Sequence, residues 1–193
     1  RNQTRLLNGP GVPAIIGEAG MKPYNFKEIG RGAIEVEMYG QVVENRPIDW
    51  RTGEPSKGLF IVLSEFLQDL DKYRDKEEIT FRLNSVGGDL FAGIAIYNRM
   101  TELKGDTITI VDGLAASAAS VILQGGKKRK VFAGSQVMVH GASVFMYGHY
   151  NQQELKKVED RIEGGNRSVL EVYAEKTGKE KGFLKGLMDS EEW

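Results

Sequence analysis

The 193-residue chain carries 26 Lys and Arg against 27 Asp and Glu, a formal net charge of -1, with 40% hydrophobic and 27% charged residues. That length suits one domain with a sizeable core, and the even charge balance offers no electrostatic footprint for nucleic acid or an anionic membrane. No apolar run approaches the roughly 18 residues of a membrane span, no signal peptide is visible, and the absence of cysteine excludes disulfides, thiolate metal sites and a cysteine nucleophile.

In chain order, residues 1–32 hold Pro10, Pro13 and Pro23 with scattered glycine and no periodicity, and read as an irregular N-terminal arm. The remainder, 33–193, opens with Ile34, Val36 and Met38 alternating with Glu35, Glu37 and Tyr39, a half-buried strand. A loop follows from Pro47 to Pro55. Leu59, Val62, Leu63, Phe66, Leu67, Leu70 and Tyr73 recur at helical steps and predict a helix over 59–73. Ile79, Phe81 and Leu83 predict a strand ended by Asn84-Ser85-Val86-Gly87-Gly88, then a helix over 90–103. Thr107 to Val111 predicts the next strand, Asp112-Gly113 a turn, and Ala115 to Leu123 a short helix of small residues. Short strands are expected at 131–132 and at 136–140, and a long charged helix from Asn151 to about Lys176, interrupted by Gly164-Gly165. Strands alternating with helices define an α/β fold of repeated strand-turn-helix units with mainly parallel pairing.

Two glycine-bearing turns therefore lie between a strand and a helix, where backbone N–H groups stabilise negative charge. Neither matches the phosphate-loop pattern or the G-x-G-x-x-G fingerprint, so an oxyanion is a better guest than a nucleotide. Ser117 starts a helix among small neighbours, Gly113-Leu114-Ala115-Ala116-Ser117-Ala118-Ala119-Ser120, that let a substrate backbone approach. By itself such a serine is a cap or a packing residue, and Ser120, three residues farther in, reads as packing. His140 ends the segment Val137-Met138-Val139-His140, where a base for Ser117 can sit; a lone histidine there is otherwise structural. His149 lies nine residues on, which is not a helical metal spacing, and no metal or organic cofactor is expected.

Together, Asn84-Ser85-Val86-Gly87-Gly88, Ala92-Gly93-Ile94-Ala95-Ile96-Tyr97, Gly113-Leu114-Ala115-Ala116-Ser117 and Val137-Met138-Val139-His140 resemble the Clp proteolytic-subunit serine peptidases, in order and in spacing. The resemblance covers roughly residues 33–193 and is nearest to phage and prophage members, whose nucleophile segment likewise reads D-G-x-A-A-S-A-A-S. It implies a ClpP-like fold of the crotonase type with a helical handle. It also implies a serine endopeptidase acting on polypeptides in stacked homo-oligomeric rings, commonly of seven subunits, in the bacterial host cytoplasm. Capsid maturation is the implied setting, with phage capsid or scaffold proteins as partners; no match in the arm speaks for docking to an unfoldase ATPase. By matched position Ser117 is the nucleophile, His140 the general base, and the N–H groups of Gly88 and Ala118 the oxyanion hole. The acid is Glu191, two residues before the aromatic Trp193, with Asp189 as the alternative. The family runs on past this point, which implies an incomplete C-terminal end. Val86 stands where the family often has proline, which predicts a looser turn. Two rival readings are a crotonase-type acyl-CoA enzyme, whose paired N–H groups hold an enolate oxygen, and an inactive ring-forming scaffold.

Overall fold

Alternation along the strands decides which way the sheet faces. A computed structural model describes residues 22–193. Strands β1 (Tyr24–Gly30), β2 (Ala33–Met38), β3 (Gln41–Val43) and β4 (Phe60–Val62) lead into helix α1 (Leu63–Asp71). They are followed by β5 (Glu78–Ser85), α2 (Leu90–Thr101), β6 (Asp106–Ala116), α3 (Ala118–Leu123), β7 (Lys128–Val131), β8 (Gln136–Met138), α4 (Gln152–Thr177) and α5 (Lys181–Asp189).

The main sheet runs β1-β2-β5-β6-β7, with β8 also paired to β6; β3 and β4 form a small parallel sheet of their own. All pairs in the main sheet are parallel except β1 with β2, as expected when helices cross over between strands. Ile34, Val36, Ile79, Phe81, Leu83 and Val111 point to one face and pack beneath Phe66 and Leu70 of α1, Ile96 and Met100 of α2 and Ile122 of α3. A second apolar layer, built from Val169, Val172 and Tyr173 of α4 and Leu184 and Met188 of α5, covers Tyr97 and Val121 on the outer sides of α2 and α3. The opposite sheet face keeps Glu35, Arg82, Ile108, Ile110 and Asp112 half-buried.

Several expectations from the sequence need correction. The arm expected over 1–32 contains β1, whose Tyr24 and Phe26 pack on Phe66; residues 1–21 lie outside the described residues. The helix expected from Leu59 begins at Leu63, because Phe60-Ile61-Val62 is an aromatic and β-branched run that pairs with β3. Asp112-Gly113 is no turn: β6 continues through it to Ala116 by way of a register shift against β5. Gly164-Gly165 does not interrupt α4, since a Cβ on buried Gly165 would meet Leu90 Cδ2 at 3.0 Å, so this glycine serves close packing. Helix α5 was not expected. Among the described residues no helix is long and apolar enough to cross a membrane.

Candidate active site

The irregularity in β6 aims the chain at the site. Between Val111 and Ala115 the strand carries more residues than β5 opposite, and side chains from β5 and from the segments flanking β2 and β8 pin this bulge. Arg82 grips Asp112 with two hydrogen bonds, Nε to Oδ2 at 2.9 Å and Nη2 to Oδ1 at 2.5 Å. Tyr39 donates to the same carboxylate at 2.5 Å, and Ser135 Oγ lies 2.9 and 2.8 Å from the carbonyls of Val111 and Asp112. Burial, then the bond to Asp112, pushes the Tyr39 hydroxyl up to about 12.

Past the bulge, Ala116 ends the strand and Ser117 takes φ 54 and ψ -125 before α3 begins. A positive φ on a residue other than glycine costs of order 1 to 3 kcal/mol and persists only where neighbours over-determine it. Here the Ser117 N–H donates to Met138 O at 3.0 Å, while the Ser117 carbonyl accepts from the Ser120 N–H at 2.9 Å and from Ser120 Oγ at 2.6 Å.

The turn after β5 closes over this elbow. Gly87 has φ 83, and a Cβ there would lie 2.4 Å from Ala116 O and 2.7 Å from Ala118 N; at Gly88, φ 141, a Cβ would lie 2.0 Å from Val42 O. No side chain fits at either position. The looseness expected from Val86 is not found, because the turn is tied on both sides. Val42 donates to Gly87 O and Asp89 to Val42 O, each at 2.8 Å, and Ser85 Oγ donates to Gly40 O at 2.5 Å and accepts from the Gly87 N–H at 3.1 Å. Asp89 then caps α2 by accepting from the Ala92 N–H at 2.8 Å. Among the described residues no hydrogen bond takes up the N–H of Gly88 or of Ala118, the first residue of α3.

His140 arrives by register. Strand β8 runs parallel to the end of β6, with Ala116 opposite Met138, so a residue two positions on reaches Ser117. Nε2 of His140 lies 2.7 Å from Ser117 Oγ; His140 sits just beyond the strand that was expected to end in it. The following segment is held to α4 by Asn166 Oδ1, which accepts from the Ala142 N–H at 2.6 Å.

The two candidate acids share a cleft with His140. A cleft of about 510 Å³ is lined by His140, Gly141, Ser143, Met188, Asp189 and Glu191, among others. Within it Asp189 pairs with Lys185 Nζ at 2.5 Å, and Glu191, at φ 53, has no hydrogen bond from its carboxylate among the described residues. Neither bonds to His140. His149 is exposed and apart from the cleft lining. Sequence reasoning left Ser120 as packing. It is fully buried, and it also carries polar contacts to Ser117 and to Tyr173, for which the sequence held no local signal. No group of three or more His, Asp or Glu suited to a metal occurs among the described residues.

A serine at positive φ on a strand-to-helix elbow, a histidine within hydrogen-bond reach and two N–H groups with no acceptor among the described residues are groups that acyl transfer can use. In comparison with known proteins, residues 30–193 match the Clp protease family. The ATP-dependent Clp protease proteolytic subunit of Cuscuta gronovii is 33% identical over 156 residues, 77% of this chain and 75% of that one. The protein of the same name from Deinococcus radiodurans is 32% identical over 139 residues, 71% and 68% of the two chains. The chain belongs to the Clp protease family, a family of peptidases with this α/β fold.

Proposed function

We propose that the chain is a serine endopeptidase in which Ser117 attacks the scissile carbonyl and His140 is the general base. The observation that carries this reading is the 2.7 Å contact of His140 Nε2 with Ser117 Oγ at a backbone held at φ 54. As Oγ bonds to the carbonyl carbon its proton passes to Nε2, the developing oxyanion accepts from the N–H groups of Gly88 and Ala118, and the imidazolium returns the proton to the leaving amine. Water then repeats the sequence on the acyl-enzyme. Glu191, or else Asp189, both lining the cleft with His140, serves to hold the Nδ1 side of the ring. A crotonase-type acyl-CoA chemistry uses only the N–H groups and leaves the Ser117–His140 pair without a task.

Polypeptide is the substrate, and stacked rings of this chain are the working form. The family match supports that assembly, as do exposed apolar groups on and before α4: Tyr147 at 84% exposure, Phe145 at 42%, and Leu155 on α4 at 50%. The segment from Asp112 to Ser120, which resembles phage members, supports capsid maturation in a bacterial host as the setting. The relatives' name makes an ATPase partner the competing one.

A peptidyl phosphonate, with the label mapped by mass spectrometry, tests the site. The expected result is one phosphonylated residue, Ser117, and no label after His140→Ala. Peptide hydrolysis that survives without labelling, or a label on Ser120, overturns the assignment.

A further inference from the structure

The buried hydroxyl of Ser120 is not used by the mechanism above, yet it touches the peptide group on which that mechanism depends. Ser120 Oγ donates to the Ser117 carbonyl at 2.6 Å and lies 2.6 Å from the Tyr173 hydroxyl of α4. Ser120 has a single O–H proton, already given to the carbonyl, so the Tyr173 O–H must be the donor in the second contact. Burial pushes the Tyr173 hydroxyl up to about 12, so it keeps that proton at any ordinary pH. The bonds therefore run one way, from Tyr173 to Ser120 to the carbonyl of Ser117.

That carbonyl belongs to the same planar, trans peptide group as the N–H of Ala118, and in such a group C=O and N–H point in opposite directions. Fixing the oxygen inward therefore fixes the N–H outward. A carbonyl that accepts strong hydrogen bonds also polarises its amide and makes the N–H a better donor. From this geometry we infer that Ser120 and Tyr173 are positioning residues, a hydroxyl relay that aims and sharpens the Ala118 half of the oxyanion hole. The inference rests on the reading of Ser117 as nucleophile and Ala118 as oxyanion donor. It gives Ser120 a task beyond packing and makes the seating of α4 a condition for turnover.

An oxyanion forms only in the transition state, so the relay should act on kcat and leave KM alone. Removing a whole oxyanion donor costs about 10² to 10³ in rate; misaiming one that remains should cost less, on the order of tenfold. The experiment compares Tyr173→Phe, Ser120→Ala, the double variant and Ser117→Ala in the full chain. Each is assayed for hydrolysis of a fluorogenic peptide, for affinity toward a peptide boronic acid that forms a tetrahedral adduct, and for thermal midpoint.

Tyr173→Phe and Ser120→Ala are expected to lower kcat about three- to tenfold and about tenfold respectively, with KM within about twofold. Boronate affinity should fall in step with kcat. Because Tyr173 acts only through Ser120, the double variant should be no slower than Ser120→Ala alone. Wild-type kcat in Tyr173→Phe, multiplicative losses in the double variant, or a rise in KM that accounts for the effect would each overturn the relay while the site reading stands. Activity retained in Ser117→Ala overturns both. If Ser120→Ala does not fold, Tyr173→Phe, which deletes one oxygen and keeps the ring in place, still decides through kcat and boronate affinity.

Discussion

The two sides of the cleft are built differently. Ser117 sits at the end of the longest strand in the sheet, backed by Ala115, Ala118 and Ala119, all at zero exposure, and its neighbour His140 is fixed by strand register. Asp189 and Glu191 instead lie in an exposed segment at the end of α5, tied to the strand side by one bond from the Val139 N–H to Glu192 O at 3.0 Å. Core packing preassembles the Ser117–His140 pair in a single chain. The two candidate acids are carried on an exposed chain segment instead.

Substitutions at the core side should have the largest effect. Ser117→Ala is expected to reduce peptide hydrolysis by at least about a thousandfold while moving stability by less than about 1 kcal/mol, since losing one hydroxyl leaves almost no cavity. His140→Ala should cost nearly as much and the double variant no more than either, because such groups act as a unit. Initial rates together with thermal melts check both halves; a double variant far slower than either single one would separate the pair.

On the peripheral side, the amide of the true acid should slow acylation by about a hundredfold or more through the wrong imidazole tautomer, and the other amide should be nearly silent. Burst kinetics of Glu191→Gln and Asp189→Asn choose between them, and two silent variants mean a dyad or an acid elsewhere. Assembly sharpens the contrast further. Sedimentation should show a species far heavier than the 21.4 kDa chain. Salt should weaken the assembly only moderately, because Glu154 is held in the α4 capping box and Asp160 by Lys156 at 3.1 Å, leaving apolar Leu155, Val158 and Ile162 to carry more of the contact. A monomer at every ionic strength refutes the ring.

Smaller effects are expected where the bulge is pinned. Arg82→Met strands the half-buried Asp112 carboxylate beside Tyr39 and should cost about 1 to 3 kcal/mol with only a several-fold drop in kcat; chemical denaturation and initial rates measure the two. The smallest effect is an alkaline one. The folded-state pKa of Tyr39 is raised from its ordinary value of 10.0 to about 12, so its contribution is complete below pH 10 and is lost as pH climbs toward 12. Tyr39→Phe should flatten the fall in stability across that window, read by melts at stepped pH.

What could be read in advance divides along similar lines. The strands around Ile34 and Phe81 follow from local pattern, whereas the Ser117–His140 pairing was legible through the family resemblance that the motifs around them carry. The continuation of β6 through Asp112-Gly113 was hidden because it depends on Arg82, Tyr39 and Ser135, all distant in sequence. Helix α5 was hidden because Gly182 and Gly186 weaken its local propensity, and it is held instead by Leu184 and Met188 packing against α4 and its neighbours. The Ser120–Tyr173 contact spans 53 positions, and no window of sequence contains it.

Strand β7 at one edge of the sheet presents Lys128, Arg129 and Lys130, all exposed, and β1 at the other edge presents Lys27 and Glu28. Unpaired strand edges are templates on which another chain can extend a sheet, and charged side chains make that extension costly. This sheet is guarded against runaway growth at both margins, so copies crowded together meet through side chains rather than by splicing their backbones into a fibre.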